Sequence, residues 1–77
     1  MTLDTIQDLL HRQPFEPFRI VTSSGETYPV RHPEMAWPIR NGVYVGIGGK
    51  GGLPERAAFV WLLHVAAVET LANGKRR

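Results

Sequence analysis

The alternation of apolar and polar positions divides the chain into one short helix and a series of short strands. Leu3, Ile6, Leu9 and Leu10 recur at helical spacing with Asp4 and Asp8 on the other side, which predicts a helix over residues 3–12. Thr2 suits the N-cap, and Asp4 suits the positive end of the helix dipole. Pro14 biases Gln13 away from helical geometry and ends the run. A helix this short is marginal alone in water, so its leucine face must dock on something.

From Phe18 the period changes to two. Phe18, Ile20 and Thr22 alternate with Arg19, Val21 and Ser23, and Tyr28 and Val30 alternate with Thr27 and Arg31. These runs predict strands at 18–23 and 26–31, joined by a Ser24-Gly25 turn in which glycine supplies the positive φ. Pro29 has no N–H to give to a ladder, so the second strand is expected to be bulged or to face an open edge. His32-Pro33-Glu34 turns the chain. Further strands are expected at 35–39 and 43–47, with Asn41-Gly42 between them as the strongest hairpin signal in the sequence. Residues 46–52 hold five of the eight glycines and read as a mobile loop.

Residues 54–73 admit two readings. Pro54 at a first helical position, Ala57, Ala58, Ala66, Ala67 and Ala72, and a closing Asn73-Gly74 favour a helix. That would give an α+β fold, an antiparallel sheet with N- and C-terminal helices. Such a helix, however, would be apolar nearly all round, with too little protein to bury it. Phe59-Val60-Trp61-Leu62-Leu63 is rich in β-formers, and a break at His64 yields strands at 58–63 and 65–71. The strand reading is preferred, and makes the chain mainly β with an N-terminal α-helix.

Composition narrows the classes. Seventy-seven residues hold one core, so 1–77 is expected to be a single domain. With 43% hydrophobic and 21% charged residues the chain should fold. The net charge of +2 and a pI near 9.5 point toward nucleic acid, but Lys75, Arg76 and Arg77 are three of the nine basic residues. Without them the body carries −1. The tail 74–77 reads as a solvated terminus with modest, salt-sensitive attraction for phosphate. The absence of cysteine excludes disulfides, zinc ribbons, iron–sulfur clusters and a thiol nucleophile. The start has neither a basic n-region nor an apolar h-region, and the longest apolar stretch, Ala57 to Val68, is too short to span a bilayer. A cytoplasmic protein with no membrane partner is expected.

The order helix, hairpin, short strands, Gly-rich loop and two final strands joined by a one-residue step resembles the Sm-like small β-barrels, including the bacterial host-factor RNA chaperones. That resemblance implies an SH3/Sm-like small bent β-barrel capped by a short helix, ring assembly and single-stranded RNA as ligand. At the position of the host-factor Lys-His pocket signature this chain has Leu63-His64. At closer range, Pro14-Phe15-Glu16-Pro17-Phe18-Arg19-Ile20, Ser24-Gly25-Glu26 and Val30-Arg31-His32-Pro33-Glu34-Met35 look like a small uncharacterised bacterial protein family, which carries over no active site.

Motifs for chemistry are weak. Gly46-Ile47-Gly48-Gly49-Lys50-Gly51 matches G-x-G-x-x-G in form, but no βαβ unit surrounds it, and a flexible loop explains it better. His32-x-Glu34 resembles the H-x-E of zinc deaminases without their cysteine pair. The spacing of His11, His32 and His64 supports no metal site, and no G-x-S-x-G elbow surrounds Ser23 or Ser24. No catalytic, cofactor or metal site is therefore expected. Large aromatics are the stronger signal: Phe18 and Phe59 are expected in the core, with Trp37, Tyr44 and Trp61 left open. Arg31, His32, Glu34, Trp37, Arg40 and Tyr44 form the candidate ligand or partner surface, with Lys50 as a further nearby cation. The expected role is a non-catalytic binding or assembly module. It would act as a homo-oligomer with single-stranded RNA as one ligand, or alternatively as a protein-interaction subunit with no nucleic-acid role.

Overall fold

The leucine periodicity at the start of the chain does form a helix, α1, over Leu3–Leu10, with Ile6 and Leu9 buried. The computed structural model describes residues 3–49 and 53–71. Thr2, Lys50, the Asn73-Gly74 stop and the basic tail lie outside the described residues. Among the described residues six strands follow α1: β1 (Phe18–Thr22), β2 (Thr27–Val30), β3 (Ala36–Ile39), β4 (Gly42–Ile47), β5 (Arg56–Trp61) and β6 (Val65–Thr70). The chain is thus mainly β with one N-terminal helix and two antiparallel three-stranded sheets, ordered β2-β1-β6 and β3-β4-β5. These sheets are hydrogen-bonded separately, so the expected barrel is not closed. Two 3-10 turns, Pro33–Met35 and Leu62–His64, carry the chain from one sheet to the other.

The core lies between the sheets and under α1. Phe18, Ile20 and Val30 of the first sheet meet Ala36, Val43, Val45 and Val60 of the second, and Ile6 and Leu9 complete the cluster. Every one of these strand residues belongs to the inward phase of its period of two. The C-terminal helix is not realised: residues 56–70 form the two strands, broken at Leu62–His64. The break is wider than the single residue expected because the 3-10 turn is pinned on both sides. The Leu62 N–H donates to the Asn41 carbonyl at 3.0 Å, and the Ser23 N–H donates to the His64 carbonyl at 2.8 Å.

Two turns differ in their chemistry. Ser23-Ser24-Gly25 is a three-residue loop closed by the Gly25 N–H on the Thr22 carbonyl at 2.9 Å, with Gly25 at φ 92°. The Asn41-Gly42 signal locates the second hairpin correctly but for another reason. Ile39 pairs with Gly42, so Arg40-Asn41 is the loop, and neither residue has a positive φ. Gly42 is instead a seat: a methyl added there would overlap Phe59 Cζ and stand 2.5 Å from the Val60 carbonyl oxygen.

The expectation for Pro29 resolves as an open edge without a bulge. The Leu71 N–H donates to the Pro17 carbonyl, so by alternation Arg19 and Val21 bond toward β6, and Phe18 and Ile20 bond toward β2. Pro29 lies opposite Arg19 and therefore turns its nitrogen to solvent. Pro38 lies opposite Val43, which bonds toward β5 as the Leu62–Asn41 hydrogen bond fixes the alternation there. It too faces an open edge.

Candidate interaction surface

The second-sheet residues in the phase opposite to Val43, Val45 and Val60 form a face with no charged side chain; the exposed Arg56 at the start of β5 is in the other phase. Register rows run Trp37–Tyr44–Phe59 and Ile39–Gly42–Trp61, followed by Gly46–Ala57. Trp37, Ile39 and Tyr44 are each 43% exposed and Trp61 is 50% exposed, so these are outward side chains and not loose parts of the core. Tyr44 and Phe59 have ring centroids 4.8 Å apart at 50°, and Phe59 meets Trp61 edge-on at 5.0 Å and 81°. Such tilted and T-shaped pairs contribute about 0.5–1.5 kcal/mol each beyond the area they bury.

Phe59 corrects the sequence reading, which placed it in the core. Val60 is 3% exposed and faces Val43 across the ladder, and because neighbours on a strand point to opposite faces, Phe59 must turn outward. Its ring rests over Gly42, which is why a side chain is missing there. Within a run as apolar as Phe59–Leu63, alternation gives no phase, so the pattern alone carried no signal for this.

The six candidate residues divide. Trp37 and Tyr44 are direct cross-strand neighbours and belong to the aromatic face. Arg40 is exposed in the β3–β4 turn at the margin of that face. Arg31, His32 and Glu34 are exposed at the corner between β2 and β3, and no ion pair joins Arg31 to Glu34. Glu34 instead lines a groove of about 460 Å³ with Gln7, Leu10 and His11 of α1 and with Pro33, Ala36 and Pro38. His32 is not among that groove's lining residues. Phe59 and Trp61 are the residues the candidate set lacked.

The outer face of the first sheet is different in kind. Arg19 Nε donates to Glu69 Oε1 at 2.7 Å across β1 and β6, and both side chains are about half exposed. An exposed pair of this sort contributes at most about 1 kcal/mol, but it marks a solvated surface. Thr27 and Pro29 continue it.

A smaller polar notch of about 110 Å³ lies between the β1–β2 hairpin and the end of β5, lined by Thr22, Ser24, Glu26, Tyr28 and His64 among others. The Tyr28 hydroxyl donates to Glu26 Oε1 at 3.0 Å, and this bond, more than burial, raises the phenol above its ordinary value. A pKa raised on folding adds stability that is complete below about pH 10 and is lost as the pH rises through the folded value. Glu26→Gln is expected to lower the Tyr28 transition toward the ordinary range. Absorbance at alkaline pH in a Tyr44→Phe background, where Tyr28 is the one tyrosine left, reads this directly, and an unmoved transition would show that Glu26 is not the cause.

Among the described residues no cluster of histidine and carboxylate side chains could hold a metal ion, and no helix is long and apolar enough to cross a membrane. The G-x-G-x-x-G segment begins at the end of β4, and the next strand or helix among the described residues is β5. No protein-family model matches the chain, and searches of curated proteins and of solved structures return no significant match.

Proposed function

We propose that this chain is a non-catalytic assembly module of the SH3/Sm-like kind that works as a homo-oligomer joined through strand edges. Several features support the barrel assignment. β1 pairs with both β2 and β6, the Pro33–Met35 turn takes the chain round a corner from β2 in one sheet to β3 in the other, the last two strands are joined by a short 3-10 step, and α1 packs on the shared core.

The observation that carries the assembly reading is the unequal protection of the four sheet edges. β2 and β3 hold four residues each, and each has a proline whose nitrogen faces outward. Proline on an edge blocks addition of another strand. β5 and β6 hold six residues each and contain no proline. By the alternation above, Ala57, Phe59 and Trp61 of β5, and Val68 and Thr70 of β6, turn their backbone groups to the open edges. One copy's β5 can therefore continue another's β6 while the proline edges stay inert. Because the two open edges are different strands, the contact is head-to-tail and closes into a ring if the rotation permits.

A protein partner adding its own strand to either edge is the second reading, and it rests on the same open backbone groups. Single-stranded RNA has less support, because Arg40 stands at the margin of the aromatic face and Arg31 at the corner away from it.

Thr70→Pro tests the proposal with little disturbance inside the chain, since Thr70 is exposed and its N–H faces away from β1. Light scattering is expected to give a multiple of 8.6 kDa for the parent and a lower mass for Thr70→Pro. A parent that stays at 8.6 kDa across concentration would sink the reading.

A further inference from the structure

We infer that the outer face of β3-β4-β5 is a contact between two copies of this chain, packed sheet on sheet about a two-fold axis. This rests on different atoms from the edge pairing proposed above and stands or falls separately.

Exposure of large apolar side chains is concentrated here. Trp37, Ile39, Tyr44 and Trp61 lie on the face itself, and the other two large apolar residues exposed in the described structure flank its ends. Leu53, 75% exposed, precedes the Pro54 ring that covers Gly46 at one end, and Leu63, 92% exposed, follows Trp61 at the other. Taking a large side chain as about 200 Å² and these six as a little over half exposed on average, the face and its flanks offer roughly 700 Å² per copy. Two copies would then bury roughly 1,400 Å², inside the ~1,200–2,000 Å² of a stable, specific interface.

The chemistry of the face selects a second copy over nucleic acid. Cores of homodimer interfaces are rich in aromatics and poor in charge, as this face is. A strand of RNA requires cations along its phosphates and flat rings for its bases. No Arg or Lys lies in the register rows of the face, and its rings are inclined at 50° and 81° to one another, giving ridges and furrows in place of a stacking platform. Ridges of this kind interlock when two twisted sheets pack face to face, and a two-fold axis near the central strand β4 makes one surface serve both partners.

Both tryptophans of the chain, Trp37 and Trp61, are on the face, so intrinsic fluorescence reports its burial without a label. The full chain is diluted while its mass is followed by light scattering and its emission by fluorimetry. An even number of copies is expected at high concentration, with emission moving to the red as the copies separate. Tyr44→Arg, at the centre of the face, is expected to halve the mass and to show the red emission at every concentration. Ile39→Lys, at the margin, gives the same halving with less disturbance of the aromatic cluster, and circular dichroism confirms that each variant folds. Thr70→Pro should lower the mass yet keep the concentration-dependent emission, which separates face contact from edge pairing. The inference is overturned if emission does not depend on concentration and neither face variant changes the mass. It is equally overturned if an oligoribonucleotide or another protein quenches both tryptophans while the chain remains a monomer.

Discussion

Phe18→Ala is expected to remove about 3–5 kcal/mol of folding free energy, the range for deleting a buried phenylalanine ring. Phe18 is fully buried, the largest such side chain in the structure, and it stands on β1, the central strand of the first sheet. Its ring also holds Phe15 at 6.1 Å, which ties the connector after α1 to the core. A chain of 77 residues has a total stability of only about 4–12 kcal/mol at the usual ~0.05–0.15 kcal/mol per residue. The loss is therefore a large fraction of the whole, and at about 4–8 °C per kcal/mol for domains of this size the midpoint should fall by roughly 12–40 °C. Thermal and urea unfolding followed by circular dichroism measure both quantities. Phe15→Ala serves as the control: its side chain is only half-buried, and it should cost less than half as much. Equal losses at the two positions would mean that Phe18 is not the centre of this core.

Phe18 was also the residue most legible from sequence, for a physical reason that applies elsewhere in the chain. Where apolar and polar positions alternate, as at Phe18-Arg19-Ile20, the phase of the strand is visible and so is its inward face. Where every neighbour is apolar the phase is hidden. The β-branched and aromatic content of Phe59-Val60-Trp61 points to a strand, which β5 is, but not to which residues face in. The register with β4 decides it by placing Val60 against Val43, and this turns Phe59 outward. Proline carried more information than expected. Pro29 and Pro38 each suggest an edge by themselves, but only the hydrogen-bond alternation shows that both nitrogens face outward, while among the described residues no further strand pairs with β5 or β6 on its outer side.

The candidate surface was half legible. Trp37 and Tyr44 were open to notice because the chain has more large aromatics than so small a core has room for. Arg31, His32 and Glu34 drew attention through charge and through a sequence motif, but a 3-10 turn sets them at a corner away from the register rows of the aromatic face. Sequence proximity misled there because the chain changes sheet between residues 31 and 36. The residues that complete the aromatic face lie some twenty positions further on, brought over by the pairing of β4 with β5.

Gly42→Ala is the sharpest test of that pairing, and it is expected to be more damaging than a single methyl on an exposed hairpin would suggest. Gly42 has an ordinary φ, so alanine meets no backbone strain of its own. The cost is steric. The new methyl would overlap Phe59 Cζ, approach Phe59 Cε1 to 2.8 Å and approach the Val60 carbonyl oxygen to 2.5 Å. Phe59 can swing away, but the Val60 carbonyl belongs to the backbone of the paired strand, so β4 and β5 must separate locally. Overpacking of this kind costs about 1–3 kcal/mol. Displacing the Phe59 ring also breaks its contacts with Tyr44 and Trp61. Gly42→Ala should therefore lower the urea midpoint and alter tryptophan emission in the same variant. The double variant Gly42→Ala/Phe59→Ala separates the two causes. Removing the ring should recover part of the lost stability, because the ring accounts for part of the clash, and the Val60 carbonyl should keep the remainder unrecovered. Full recovery would assign the whole effect to the ring. No recovery would show that the backbone contact alone requires glycine at the start of β4.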